Sequence, residues 1–84
     1  MYETLIKKYI NKLTIDDINK FANQNNIILQ FNEDKIIYDF IKNNWKNIYY
    51  SNKTDVFNEL KNKLSLNTYN IIIDLYNMYK KNRI

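Results

Sequence analysis

Two adjacent carboxylate pairs are the residues of this chain that most resemble an acid–base site. They are Asp16 with Asp17 and Glu33 with Asp34. Neighbouring residues on a helix point to different faces, so neither pair can share a proton as a catalytic dyad. Each pair closely follows a residue of the helix-capping type, and carboxylates in a first helical turn stabilise the positive end of the helix. We therefore expect both pairs to serve in capping and neither to be catalytic.

Nucleophilic and metal-dependent chemistry lacks its usual side chains. The chain contains no Cys and no His, which removes thiolate nucleophiles, disulfides and the common ligands of zinc. Ser51, Ser65 and the threonines have no histidine to activate them, and a chain without Gly has no glycine-rich loop to hold a phosphate. We predict a protein that is not an enzyme and that has no cofactor and no bound metal.

Basic residues are in excess in the second half of the chain, where they could contact phosphates. Residues 1–42 carry six Lys against six acids, and residues 43–84 carry six Lys and one Arg against three acids. Tyr49 and Tyr50 could stack on bases beside these cations. An AT-rich codon bias or an ordinary solvated face would account for the same residues. We therefore treat weak nucleic-acid binding as the alternative function of the chain. Its candidate contacts are Lys53, Lys61, Lys63, Lys80, Lys81 and Arg83.

Apolar residues recur every three to four positions, which predicts helices along most of the chain. The first helix spans 2–13 and the second runs from Ile15 to about Asn25, with a Thr14–Asp17 capping box between them. The second helix is expected to turn three residues inward: Ile18, Phe21 and Ala22.

Asparagine pairs predict helix ends in a chain without glycine, because Asn tolerates the left-handed backbone better than other non-glycine residues. Asn25-Asn26 is expected to end the second helix and Asn43-Asn44 the third, which starts at an Asn32–Asp34 cap. Residues 27–31 are expected to form a buried connector, and the alternative is a short strand paired with residues 48–50. The third helix should bury Ile36, Ile37, Phe40 and Ile41.

The last helix has the widest apolar arc. A fourth helix starts near Asn52–Asp55 and buries Val56, Phe57, Leu60 and Leu64. Ser65 or Asn67 then caps a fifth helix that runs to about Asn82, with Tyr69, Ile72, Ile73, Tyr76 and Tyr79 on one face. The arc continues through Ile71, Leu75 and Met78. We favour a central helix wrapped by the other four, and the alternative leaves those three residues exposed as an interface.

Together these elements predict an all-α fold, a compact bundle of about five short helices in a single domain, residues 1–84. A domain of this length has one thin core. The sequence has no apolar run of the roughly 20 residues that span a bilayer, and its start lacks the apolar core of a signal peptide. We therefore expect a cytoplasmic protein without a membrane partner.

The order of these landmarks resembles the YqfT-like proteins, a small family of low-GC Gram-positive bacteria whose function is unsettled. The closest segment is Lys12-Leu-Thr-Ile-Asp-Asp-Ile-Asn-Lys-Phe-Ala-Asn-Gln-Asn-Asn-Ile27, which is similar to the family's capped helix, aromatic-Ala pair and Asn/Ile exit. The Asn47-Ile48-Tyr49-Tyr50 segment and the polar-capped last helix, which ends in aromatics, also fit. The resemblance covers nearly the whole chain, implies the same fold and brings no functional residue with it.

The sequence thus predicts a non-enzymatic protein-interaction module or accessory protein. Its partner would be another protein or a second copy of the chain, bound through the apolar face of the last helix. The candidate interface consists of Ile71, Leu75, Met78 and Tyr79.

Overall fold

Helices account for most of the chain. The computed structural model describes residues 2–51 and 54–82, the last four of them in backbone only. These residues form five α-helices and one 3₁₀ turn: α1 (Tyr2–Lys12), α2 (Ile15–Gln24), α3 (Glu33–Tyr50), the 3₁₀ turn (Thr54–Phe57), α4 (Asn58–Lys61) and α5 (Leu66–Asn82). No strand occurs within these ranges. The all-α class predicted from the sequence is confirmed.

A capping box sets the sharp turn between α1 and α2, as predicted. The Asp17 amide donates to Thr14 Oγ1 at 3.1 Å, and the Thr14 amide donates to Asp17 Oδ2 at 3.0 Å. These bonds satisfy two amides at the start of α2, which have no hydrogen-bond partner within the helix. Only two residues, Leu13 and Thr14, separate the two helices.

Asn26 ends α2 in place of a glycine. Its φ of 58° is in the left-handed region. The Ile27 amide donates to the Ala22 carbonyl at 2.8 Å and the Asn26 amide to the Asn23 carbonyl at 3.3 Å, the two bonds of a Schellman ending. Ile27 and Ala22 are both buried, so the turn also closes an apolar contact. The predicted stop at Asn25-Asn26 is confirmed.

The predicted stop at Asn43-Asn44 is wrong, because α3 continues through it to Tyr50. Asn44 Nδ2 donates to the Phe40 carbonyl at 3.0 Å, so the side chain bonds within the helix and does not terminate it. The alternative strand at residues 48–50 is also wrong, since these residues form the last turn of α3 and Ile48 packs against the core.

The central helix is α3, and the prediction of a central α5 is wrong. α3 packs against α1, α2 and α4, whereas α5 packs against α4 and the 3₁₀ turn. Of the α5 side chains that the structure describes, only Thr68 and Tyr76 are buried. With 18 residues, α3 is the longest helix of the described chain, and three other helices pack against it.

The core is small and largely aromatic. Phe57 lies between Phe40 and Tyr76, with ring centroids 5.7 Å and 4.8 Å away respectively. Leu60 and Leu64 complete the buried cluster. The Tyr76 hydroxyl donates to the Ser51 carbonyl at 2.8 Å, which satisfies the polar end of a buried aromatic residue.

Several residues that were expected in the core are partly or fully exposed to solvent. The connector at 27–31 buries only Ile27, while Ile28 is 79% and Phe31 96% exposed. Ile27 is buried and Leu29 half-buried, whereas Ile28 between them is exposed. Phe21 is also exposed, and Ile36, Ile37 and Ile41 of α3 are half-buried.

α1 lies against α3 with little buried apolar surface, and its Ile6 and Ile10 are only half-buried. None of its residues is buried, and Tyr2, Leu5 and Tyr9 of its apolar face are exposed. Glu3 accepts a hydrogen bond from the Tyr50 hydroxyl and lies 3.6 Å from Lys46 Nζ. The bond from Tyr50 lowers the pKa of the Glu3 carboxyl, and the same bond raises the pKa of Tyr50.

We predict that Asn26→Gly raises the free energy of unfolding by about 0.5 kcal/mol, because glycine adopts the left-handed backbone without a Cβ penalty. Asn23→Gly is the matched control inside α2, where glycine should lower stability by about 0.3–0.5 kcal/mol. Urea denaturation followed by circular dichroism measures both. Equal effects of the two substitutions would contradict the role assigned to Asn26.

Candidate protein-docking groove

An apolar groove of about 430 Å³ opens between α2 and α5, with α3 at its base. The α2 wall consists of Ile18, Phe21 and Ala22, and the α5 wall consists of Thr68, Ile72 and Leu75. The base is formed by Ile37, Phe40 and Ile41, and Phe57 and Leu60 of the core reach its floor. This volume lies within the range of roughly 300–1,000 Å³ typical of binding sites.

The polar groups at the groove are already bonded within the protein. Among the described lining residues, Asp17 and Thr68 carry the only polar side chains. Asp17 accepts from the Thr14 amide, and the Thr68 hydroxyl donates to Glu33 Oε1 at 2.8 Å. The groove therefore offers a ligand apolar contact and little hydrogen bonding.

Phe21 faces the groove because of its position on α2. At about 100° per residue it lies 60° to one side of Ile18, while Ala22 lies 40° to the other side. Ile18 and Ala22 pack inward and are buried. Phe21 therefore lies at the outer edge of the α2 wall, and 51% of its surface is exposed. The prediction that Phe21 points into the core is therefore wrong.

Part of the predicted interface lies at this groove. Leu75 lines it, opposite Phe21. Ile71 and Met78 are one turn away from Leu75 on the same side of α5, where Ile71 is half-buried and Met78 is 59% exposed. The Tyr79 side chain lies outside the described part of the chain. Sequence reasoning thus identified one residue of the α5 wall, Leu75, and missed the rest of that wall, the α2 wall and the base.

Glu33 is a buried carboxylate that joins α3 to α5. Its Oε1 accepts from the Gln30 amide at 2.7 Å and from the Thr68 hydroxyl at 2.8 Å, and its Oε2 accepts from the Ser65 amide at 2.7 Å. Ser65 caps α5, since its Oγ accepts from the Thr68 amide at 3.3 Å. In a capping box, a side chain of the same helix accepts from the amide of the N-cap residue. At the start of α5, Glu33 of α3 accepts from the Ser65 amide in its place.

Burial raises the pKa of Glu33, and the amides of Gln30 and Ser65 with the Thr68 hydroxyl lower it by more. The pKa of Glu33 therefore lies below its ordinary value. The carboxylate also sits at the positive end of α5, which favours the charged form further. Glu33 is ionised at neutral pH and fully engaged by donors.

Asp34 joins α3 to α2 in the same turn. Its Oδ2 accepts from Asn19 Nδ2 at 3.0 Å, and this bond lowers the pKa of Asp34. Asn32 precedes α3 with a φ of 69° and makes no side-chain cap bond. Capping of α3 therefore does not fully account for Glu33 and Asp34, because Glu33 also bonds the start of α5 and Asp34 bonds Asn19 of α2.

The structure describes only some of the basic residues proposed to contact nucleic acid. Lys61 and Lys63 are exposed, and Lys63 Nζ lies 3.4 Å from Glu59 of the same helical stretch. Lys53 and Arg83 lie outside the described residues, as do the side chains of Lys80 and Lys81. The alternative function stays a prediction.

No family model matches this chain, and no curated protein or solved structure matches it either. The resemblance to the YqfT-like proteins stays a prediction. Within the described ranges, none of the helices combines the length and apolar character needed to cross a membrane. The same residues contain no group of three or more acidic, His or Cys side chains placed to hold a metal ion.

We predict that Glu33→Gln lowers the free energy of unfolding by about 2–3 kcal/mol at pH 7, because buried donors lose a charged acceptor. Glu59→Gln removes an exposed ion pair with Lys63 and should cost about 0.3–0.5 kcal/mol. Urea denaturation of both variants measures the difference.

The effect of Glu33→Gln should depend on pH. A folded-state pKa below the unfolded value of about 4.3 stabilises the fold above that pH, and this stabilisation disappears as pH falls through the folded-state pKa. The difference in unfolding free energy between the original protein and Glu33→Gln should therefore shrink from about pH 5 to about pH 3. A gap that stays constant over this range would contradict the assignment.

Proposed function

We propose that this chain is a non-enzymatic protein-interaction module that binds an apolar partner surface in the groove between α2 and α5. The observation that carries the proposal is the groove itself, whose described lining is apolar apart from two side chains that are bonded internally. A surface of this kind gains free energy when a partner removes it from water.

The balance of apolar residues also supports an interface. The described residues bury eight hydrophobic side chains and leave ten large ones exposed. Single exposed apolar residues are ordinary, but here the exposed Phe21 lines an apolar groove. Apolar surface that continues from the edges into the groove is typical of a docking site.

The chemistry of the groove favours a protein over a small molecule. Sites for small ligands combine apolar walls with a few convergent polar groups that orient the ligand. The polar groups of Asp17 and Thr68 are committed to Thr14 and Glu33, so they give a small ligand little to align on. Two helical walls over a helical base match the apolar face of another helix, the helix-in-groove mode of recognition.

We predict that Phe21→Asp weakens binding of Nile red, a neutral apolar dye, by at least about tenfold, because it puts a charge on the groove wall. Phe31→Asp is the matched control, since Phe31 is 96% exposed and is not a lining residue. Fluorescence titration measures both variants. Equal dye affinity of the two variants would contradict the groove as the binding site.

Proteins cross-linked to the chain in its own cells give the second readout. A partner should be recovered with the original protein and with Phe31→Asp, and lost with Phe21→Asp. Circular dichroism of the variants verifies that the helices are intact. A partner that remains bound to folded Phe21→Asp would place the interface elsewhere.

A further inference from the structure

We infer that a second surface of this protein, a stripe of interleaved aromatic and basic residues along α3, binds single-stranded nucleic acid. The inference is independent of the proposed function, because none of the stripe residues is among the described lining of the groove. It also differs from the alternative function suggested by the sequence, whose six candidate basic residues lie outside the stripe. The α3 stripe consists of Tyr38, Lys42, Trp45, Lys46, Tyr49 and Tyr50.

Helical spacing brings the six residues of the α3 stripe to one side of the helix. At about 100° per residue they fall within an arc of roughly 140°. None of the six belongs to the buried cluster around Phe40 and Phe57 or to the half-buried residues that pack against it. The hydrophobic core therefore does not account for the aromatic residues of the stripe.

Each lysine of the stripe lies beside an aromatic ring. Lys42 Nζ is 5.4 Å from the centroid of the Tyr38 ring, and Lys46 Nζ is 5.7 Å from the centroid of the Trp45 ring. An ammonium group at such a distance is attracted by the π face of the ring. Aromatic rings next to cations match the needs of a single strand, because its bases stack on the rings while its phosphates contact the cations.

The stripe is accessible from solvent. Tyr50 is 60% exposed, and its ring meets the Tyr49 ring edge to face with centroids 4.8 Å apart. The Lys46 side chain is 63% exposed, and Tyr38 and Trp45 are half-buried. These side chains therefore retain surface for contact with a base or a phosphate.

The charge around the stripe suits a polyanion. Glu3 of α1 accepts from Tyr50 and lies 3.6 Å from Lys46 Nζ, so α1 borders the stripe. The two lysines of the stripe and the three of α1 make five basic residues against one acidic residue, Glu3, whereas the whole chain has 13 against nine. The ion pair of Lys35 with Asp39, also on α3, adds no net charge. A codon bias toward Lys does not explain this local excess over acids. The α1 lysines are Lys7, Lys8 and Lys12.

The chemistry of the stripe favours a nucleic acid over a membrane or another protein. A helix that enters a membrane surface needs an outward apolar face, but α1 exposes only one aliphatic residue, Leu5, and the stripe contains none. An apolar protein would remove water from the lysines without supplying anions in return. An acidic peptide supplies anions but no bases to stack on the rings. A single strand uses both components of the stripe.

The fluorescence of Trp45 tests the inference, because it is the only tryptophan of the chain and lies in the stripe. Titration of the full chain with oligo(dT) of about 15 nucleotides, the upper range of such sites, should quench Trp45 as bases stack on it. In about 50 mM NaCl we expect a dissociation constant of about 1–100 μM, the range of sequence-independent binding. With about three phosphates contacted, about 200 mM NaCl should raise this constant roughly 20-fold.

Two substitutions remove the two components of the stripe separately. Tyr38→Leu keeps apolar bulk but removes a ring, and it should raise the dissociation constant at least about fivefold. Lys46→Gln should raise it severalfold and lower the slope of its logarithm against log[NaCl] by about 0.7. The matched controls are Phe31→Leu, at an aromatic residue that is 96% exposed outside the stripe, and Lys20→Gln, at an exposed lysine of α2. Each control should change the constant less than about twofold.

Poly-glutamate is the comparison ligand, since it carries anions without bases. Quenching of Trp45 by poly-glutamate with the affinity of oligo(dT) would assign the stripe to an acidic protein and overturn the inference. No binding of oligo(dT) at about 100 μM protein, the weak end of sequence-independent binding, would also overturn it. So would stripe variants with intact circular dichroism that bind as tightly as the two controls. These outcomes leave the groove untouched, because dye binding tests it separately.

Discussion

The turn that opens α3 determines the separation of the groove walls, because two neighbouring carboxylates there connect to different helices. Glu33 bonds the start of α5 and Asp34 bonds Asn19 of α2. Burying a charged carboxylate is unfavourable unless donors replace the water that it loses, and Glu33 receives three donors at 2.7–2.8 Å. Ionic and polar contacts depend on distance and direction more strongly than apolar packing does. The Glu33 bonds therefore fix the distance and direction between the starts of α3 and α5, beside the apolar core that Tyr76 of α5 joins.

The apolar groove follows from the same arrangement. α2 and α5 both face the middle of α3, and each contributes its own apolar residues to the space between them. Every polar atom of the described buried side chains has a partner, so the open groove coexists with a satisfied interior. The described residues therefore combine an exposed apolar groove with an interior in which no buried side-chain polar atom is unpaired.

The local features of the fold could be predicted from the sequence, and the long-range ones could not. The Thr14–Asp17 box and the stop at Asn26 depend on contacts within six residues, which a sequence displays directly. Asn43-Asn44 is the same dipeptide as Asn25-Asn26, yet α3 continues through it because packing on both sides of α3 outweighs the weak helix preference of Asn. At the site, Leu75 could be found from the breadth of the α5 arc. The groove position of Phe21 could not be predicted, because it depends on which helix lies beside α2. The bonds of Glu33 to Ser65 and Thr68 could not be predicted either, because they join residues far apart in the sequence.

The placement of α1 has a consequence for how the molecule opens. Its apolar residues are at most half-buried, and a few surface bonds through Glu3 and Ile10 join it to α3. Segments with so little buried apolar contact detach at a small fraction of the global unfolding free energy. We therefore expect the amide hydrogens of α1 to exchange with solvent through local opening, and those around the buried Phe40 and Leu60 to exchange only on global unfolding. On this basis α1 should open independently of the part of the chain that contains the groove.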